Sequence, residues 1–222
     1  MANEMITLPD GRLHGRKVAI LMETDYVEFE IDYYLRRFAE EGATVELLTR
    51  LWGSPSLTFT GHEHQVPITV DGDLEAVDDE RLRSWDALIV PSGMVSDRLR
   101  YAERVDRISP AAELLGRAFA EPSVLKGVIC HGMWLVSPIA EAVAGRAVTC
   151  HNNLISDVRH MGAVYTDQDV VVSDDLVTAR SGDHCHVFAR TLVDLMAARA
   201  SGGGASRWRG TTGRLRGVRG GR

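Results

Sequence analysis

The sequence predicts an α/β fold with a mostly parallel sheet covered by helices on both faces. Short apolar runs alternate with stretches of helical period from about residue 16 to residue 199, the pattern of repeated strand–helix units. The apolar runs are near-continuous, as in strands buried on both faces. At 222 residues, 45% hydrophobic and 25% charged, the chain has the length and composition of one sizeable globular domain.

The first strand is "KVAILM" (17–22), and Glu23-Thr24-Asp25 leads from it into "YVEFEIDYYLRRFAEEG". There Phe29, Tyr33, Leu35 and Phe38 recur at helical spacing, and Gly42 stops the helix. "TVELLT" (44–49) is a second strand, "HEHQVPITVDGD" reads as an irregular excursion or hairpin around Pro67 and Gly72, and Asp78 to Leu82 fits a short helix. "DALIVP" (86–91) is a strand ending in Ser92-Gly93, residues 109–120 are helical, and "LKGVI" (125–129) is a strand followed by a helix from about His131. "AVTC" (147–150) and "VVVSDDLVTA" (170–179) are strands, the latter a hairpin turning at Asp174-Asp175. Residues 184–199 close the domain as a helix. Ligands of such sheets bind at the carboxyl ends of the strands. Three polar clusters fall there: Glu23 to Asp25, Ser92-Gly93 and Cys130-His131.

Composition excludes several classes of function. No apolar run reaches the ~18 residues needed to span a bilayer, and "MANEMITLPDGRLHGRK" has no apolar core of a signal peptide. Cys130, Cys150 and Cys185 are widely spaced with no Cys-x-x-Cys, which suits reduced thiols in a cytoplasm. The net charge of −6 is uneven: the tail from Ser201 to Arg222 holds six arginines and eight glycines, and without it the body has 19 basic and 31 acidic residues. That acidic body should repel a polyphosphate, so nucleic acid is not an expected partner. Residues 1–15 and 200–222 are expected to lie outside the domain, the latter as a disordered Arg/Gly-rich tail. No Gly-x-Gly-x-x-Gly or Walker-type loop is present, so no nucleotide cofactor is expected.

Cys130-His131 carries the strongest chemical signal. A residue at a tight strand-to-helix turn is held out of the backbone at the sheet's edge, the arrangement of a nucleophile elbow. At the start of a helix its thiol is expected to be partly ionised, and the amides just after it are placed to hold an oxyanion. Gly132 leaves room for a close approach.

These residues also carry a resemblance. "GVICHGMWLVSPIAEAVAGRAVT" resembles the Ala-Ile-Cys-His-Gly-Pro segment of the ThiJ/PfpI superfamily, whose members include intracellular cysteine peptidases, glyoxalases and proposed deglycases. "KVAILMETDYVEFEIDYYLRRFAEEGATVELLT", "WDALIVPSGMVSDRLR", "TCHNNLISDVRHMGAVYTD" and "LVTARSGDHCHVFARTLVDLM" are similar to its other segments in the same order, over about residues 16 to 198. The resemblance implies a flavodoxin-like three-layer α/β/α sandwich and a homodimer or larger ring. It assigns Cys130 as nucleophile, His131 as the adjacent histidine of the peptidase-like branch, and Glu30 as the acid that hydrogen-bonds the sulfur. A carboxylate beside a thiolate is a like-charge pair, so Glu30 is expected to be protonated when Cys130 is ionised. Ser92 and Gly93 match a Gly-Gly turn whose amides face the nucleophile, with serine in place of the first glycine. That replacement requires ordinary backbone geometry at position 92. Asp97 matches an acid that reaches the histidine of a neighbouring subunit, His151 a pocket His or Tyr, and Arg180 an arginine near the subunit interface. Met133 and Trp134, where relatives have proline next, are expected to shape an apolar pocket.

"GHEH" and "DHCH" bring together His62 and His64, then Asp183, His184, Cys185 and His186. A metal is not expected from either, and Asp183 reads as the N-cap of the last helix. The expected function is a cofactor-independent cysteine enzyme acting on a small carbonyl or amide-like substrate. An intracellular cysteine peptidase and a non-enzymatic redox-sensing stress protein are the alternatives.

Overall fold

The apolar runs become strands of one sheet in the computed structural model, which describes residues 11–201. In chain order come β1 (Lys17–Leu21), α1 (Glu28–Glu40), β2 (Thr44–Thr49), β3 (Leu57–Thr60), β4 (Pro67–Val70), β5 (Gly72–Asp73), α2 (Asp79–Arg83), β6 (Ala87–Val90) and α3 (Val95–Leu99). There follow α4 (Pro110–Phe119), β7 (Leu125–Ile129), α5 (Met133–Val136), β8 (Ala147–Val148), α6 (Ile155–His160), β9 (Val164–Tyr165), β10 (Val170–Ser173), β11 (Leu176–Ala179) and α7 (Cys185–Ala200). Seven strands form the main sheet in the order β10-β11-β7-β6-β1-β2-β5. All its pairs are parallel except β10 with β11. Helices α1 and α7 pack together on one face, and α3, α4 and α5 pack with one another on the other. This is the mostly parallel α/β sandwich that the alternation predicts.

Residues 57–70, 131–142 and 147–150 depart from that reading in detail. The excursion is a hairpin of β3 and β4, with Pro67 starting a strand rather than marking the turn. "AVTC" contributes only a two-residue strand, paired with β9 outside the main sheet. The helix expected from His131 is broken into a 3-10 turn, the short α5 and a second 3-10 stretch over Ser137–Ala142. Pro138 lacks the amide proton that a continuous helix needs there.

The buried face of α1 also differs. Glu30, Ile31, Tyr34 and Phe38 point inward, while Phe29 is 48% exposed. The apolar period misleads because an acid occupies a core position. At the amino end, Leu13 is fully buried and its amide donates to the Glu41 carbonyl, so packing begins before residue 16. Residues 1–10 of the expected amino-terminal extension and residues 202–222 of the expected Arg/Gly-rich tail fall outside the described residues.

The core brings β7 to the functional edge of the sheet. Its five residues are all buried. Gly127 is required by close packing, since a Cβ there would stand 2.7 Å from the Phe188 ring of α7. Lys126, also fully buried, pairs with Asp175 in the turn before β11, and Arg146 Nη2 donates to the same carboxylate at 2.6 Å. Removing one partner of a buried ion pair strands the others. Asp175→Ala is therefore expected to lower stability by about 3 kcal/mol, measured by urea unfolding.

Candidate active site

Cys130 sits at the carboxyl end of β7 with φ of 58°, the left-handed region that side-chain-bearing residues avoid. Its neighbours enforce the turn. The His151 amide donates to the Cys130 carbonyl at 3.4 Å, and Ser96 Oγ donates to the His131 carbonyl at 2.6 Å. At Gly132 a Cβ would lie 2.9 Å from the Val90 carbonyl oxygen, so only glycine lets the elbow rest on β6.

The sulfur lies 3.2 Å from His131 Nδ1, and the amides of His131 and Gly182 face it. Burial pushes the thiol pKa up, and the charge of Glu30 adds to that shift. Burial thus works against the partly ionised thiol expected at this elbow. Cys130 is only 7% exposed, and the helical turns that follow it are too short to build a strong dipole. Burial lowers the pKa of His131, assisted by the neighbouring His151. A neutral thiol thus faces a neutral imidazole.

Glu30 enters from the first turn of α1 and is fully buried. Ser92 N–H donates to both of its oxygens, at 3.2 and 3.3 Å. Burial raises its pKa to about 7 against the opposing pull of the Ser92 hydroxyl and amide and the Tyr34 hydroxyl. Its charge reaches Cys130, while its hydrogen bonds run to Ser92 rather than directly to the sulfur.

The turn after β6 fits the serine. Gly93, not Ser92, has the positive φ, 81°, and a Cβ at Gly93 would meet the Asp25 carbonyl oxygen at 2.3 Å. Gly93 is thus held to its turn by chain packing, and a further amide facing the nucleophile comes from Gly182, which sequence reasoning missed. Its only signal was the Ser181-Gly182 turn at the end of β11. Ser96 and Tyr34 were missed as well, each hidden in an ordinary helical stretch.

The remaining expected residues divide into two groups. His151 stacks on His131 with ring centroids 4.4 Å apart, and Trp134 meets the same imidazole edge-on at 4.9 Å. Met133 is fully buried in the core, so it lines no open pocket; the first helical turn directs it inward. Asp97 is exposed on α3 and makes no hydrogen bond to His131 within the described chain. Its neighbour Arg98 pairs with Asp25 instead.

Arg180 brackets the segment beyond β9 by donating to Tyr165 Oη at 3.1 Å and Asp167 at 2.6 Å. Asp183 provides no side-chain cap to α7, whose N-cap is His184; a 3-10 turn over Gly182–His184 starts the helix one residue later than the cap requires. Among the described residues, no cluster of three or more His, Cys, Asp and Glu side chains is arranged to hold a metal ion, and no helix is long and apolar enough to cross a membrane.

Residues 16–195 match the model of the DJ-1/PfpI family. The chain belongs to the DJ-1/PfpI family. It is 29% identical over 185 residues to Protein/nucleic acid deglycase 2 of Escherichia coli, covering 83% of this chain and 99% of that one. It is 26% identical over 182 residues to the provisionally named cysteine protease YraA of Bacillus subtilis, covering 82% and 99% of the two chains. The solved ThiJ/PfpI domain protein of Brachyspira murdochii superposes with a TM-score of 0.70 at 18% identity, over 83% of this chain and 98% of that one. The family assignment and the fold agree with the three-layer sandwich that the resemblance implies.

Glu30 gives the site a signature in stability. Its pKa rises from 4.5 to about 7 on folding, so between those values the native protein keeps a proton that the unfolded chain has lost. The resulting penalty is absent below 4.5, grows through the window and is complete above 7. Glu30→Gln removes it. Relative to that variant, the parent protein is expected to lose about 3 kcal/mol between pH 4.5 and pH 8, measured by urea unfolding across that range.

Proposed function

We propose that this protein is a cofactor-independent cysteine enzyme that acts on small carbonyl compounds, 2-oxoaldehydes in particular. The observation that carries this reading is the Cys130 sulfur on a strained elbow, 3.2 Å from His131 Nδ1, with the fully buried Glu30 nearby. The deglycase name of the Escherichia coli relative supports chemistry at carbonyl-derived groups.

In the proposed reaction the Cys130 sulfur adds to the aldehyde carbon. A carbon–sulfur bond forms, the carbonyl π bond breaks, the sulfur gives up its proton and the oxygen gains one. His131 and Glu30 are the two groups that exchange these protons. The amides of His131 and Gly182 stabilise charge as it develops on sulfur and oxygen. A hydrogen then moves from the former aldehyde carbon to its neighbour through an enediol, with a carboxylate base. The resulting thioester is hydrolysed by water, which returns the thiol. A carboxyl with a pKa of about 7 suits both donation and acceptance near neutral pH.

Asp97 and the oligomer belong to the same proposal. Asp97 is exposed on α3, and in this reading it acts on the histidine of a second protomer, as the family resemblance implies, which would make the working unit a homodimer or larger ring. Three free cysteines suit a reducing compartment such as the cytoplasm.

The peptidase reading rests on the provisional name of the Bacillus subtilis relative. Activity on methylglyoxal, set against cleavage of a fluorogenic peptide library, separates the two. We expect methylglyoxal consumption by the parent protein and a loss of at least about 1,000-fold in Cys130→Ser, with its circular dichroism spectrum unchanged. Peptide cleavage without methylglyoxal consumption would favour the peptidase. Full activity in Cys130→Ser would exclude nucleophilic chemistry at this sulfur.

A further inference from the structure

Ser92 carries a hydroxyl where the resembling family has glycine. The residue is 1% exposed, and Oγ is buried with no hydrogen-bond partner. A buried hydroxyl in that condition is an exception that calls for an explanation. Its surroundings supply one. The Ser92 amide holds both Glu30 oxygens, at 3.2 and 3.3 Å, which fixes the serine against that carboxyl. No hydrogen bond holds the hydroxyl in this structure, and it bears on the charge of both Glu30 and Cys130. A Cβ at Gly182, whose amide also faces that sulfur, would stand 3.5 Å from Ser92 Oγ.

A hydroxyl both donates and accepts, and it turns freely when no partner holds it. Glu30 and Cys130 form a like-charge pair in a buried site, so one negative charge is shared between them more readily than two are borne. We propose that Ser92 is a proton-relay residue: its hydroxyl accepts the Cys130 thiol proton while passing its own to the Glu30 carboxylate. The sulfur–hydrogen bond breaks, a carboxyl oxygen–hydrogen bond forms, and Ser92 is left as it began. The products are a Cys130 thiolate and a neutral Glu30. That route frees His131 to serve the substrate oxygen. Other titratable groups that bear on this pair are His131, Tyr34, Cys150, Cys185 and Glu63.

The inference rests on Cys130 being the reacting group, and its test is independent of turnover. Iodoacetamide alkylation of Cys130 in the full chain, followed by mass spectrometry of the Cys130 peptide, reports thiolate formation as pH is varied. Ser92→Ala and Ser92→Gly both retain the amide that holds Glu30 and delete the hydroxyl. Each is expected to slow alkylation at pH 7 by about tenfold, the loss typical of one hydrogen bond to a charged group, and to move the profile to higher pH. In a Glu30→Gln background, Ser92→Ala should then have no further effect. An unchanged profile in both serine variants, or effects that simply multiply with Glu30→Gln, would overturn the relay. A relay that passes these tests in a protein that consumes no carbonyl compound would overturn the proposed reaction alone.

Discussion

Backbone strain at Cys130 sets the geometry of everything around the reactive sulfur. A left-handed conformation costs a residue with a Cβ about 1–2 kcal/mol, and here it is imposed from several sides. Strand β7 ends fully buried beside β6 and β11. Gly132 then rests against the Val90 carbonyl, while His151 and Ser96 hold the carbonyls of Cys130 and His131. Relaxing the turn would break these contacts together. The strain is therefore stored by the core, and it keeps the sulfur at the sheet's edge between α1 and the Gly182 turn.

That placement determines the electrostatics. Cys130, His131 and Glu30 are each taken from water, and burial moves every one towards its neutral form. Burial thus favours the neutral thiol and the neutral imidazole over a thiolate–imidazolium pair, and leaves Glu30 as the group that titrates near neutral pH. Such a site avoids the cost of burying an unpaired ion. It must generate its nucleophile by moving a proton over a short distance, which gives a buried carboxyl with a pKa of about 7 a direct use.

Much of this architecture could be read from residue types alone. Continuous apolar runs located β1, β6 and β7, and the Cys130-His131 junction lay where a parallel sheet presents its ligand-binding edge. The replacement of glycine by Ser92 was compatible with the turn because Gly93 takes the positive φ. Other features depend on tertiary burial that no local pattern reveals. Glu30 looks like one more acid on a charged helix, yet it occupies a core position and displaces the expected apolar face of α1. The thiol was expected to be ionised from its place before a helix, but the helix is short and desolvation prevails. Met133 followed the same junction into the core rather than towards a pocket. Gly182 comes from a distant turn that sequence spacing cannot bring to Cys130.

The most direct test of the strained elbow compares the equilibrium stabilities of Cys130→Gly and Cys130→Ala in urea. Glycine adopts a left-handed backbone without the steric penalty of a Cβ, so the glycine variant should be the more stable of the two by about 1 kcal/mol. At an ordinary position the order is the reverse, because glycine gains more freedom on unfolding. Greater stability of the alanine variant would show that Cys130 is not held in the strained geometry on which the account depends.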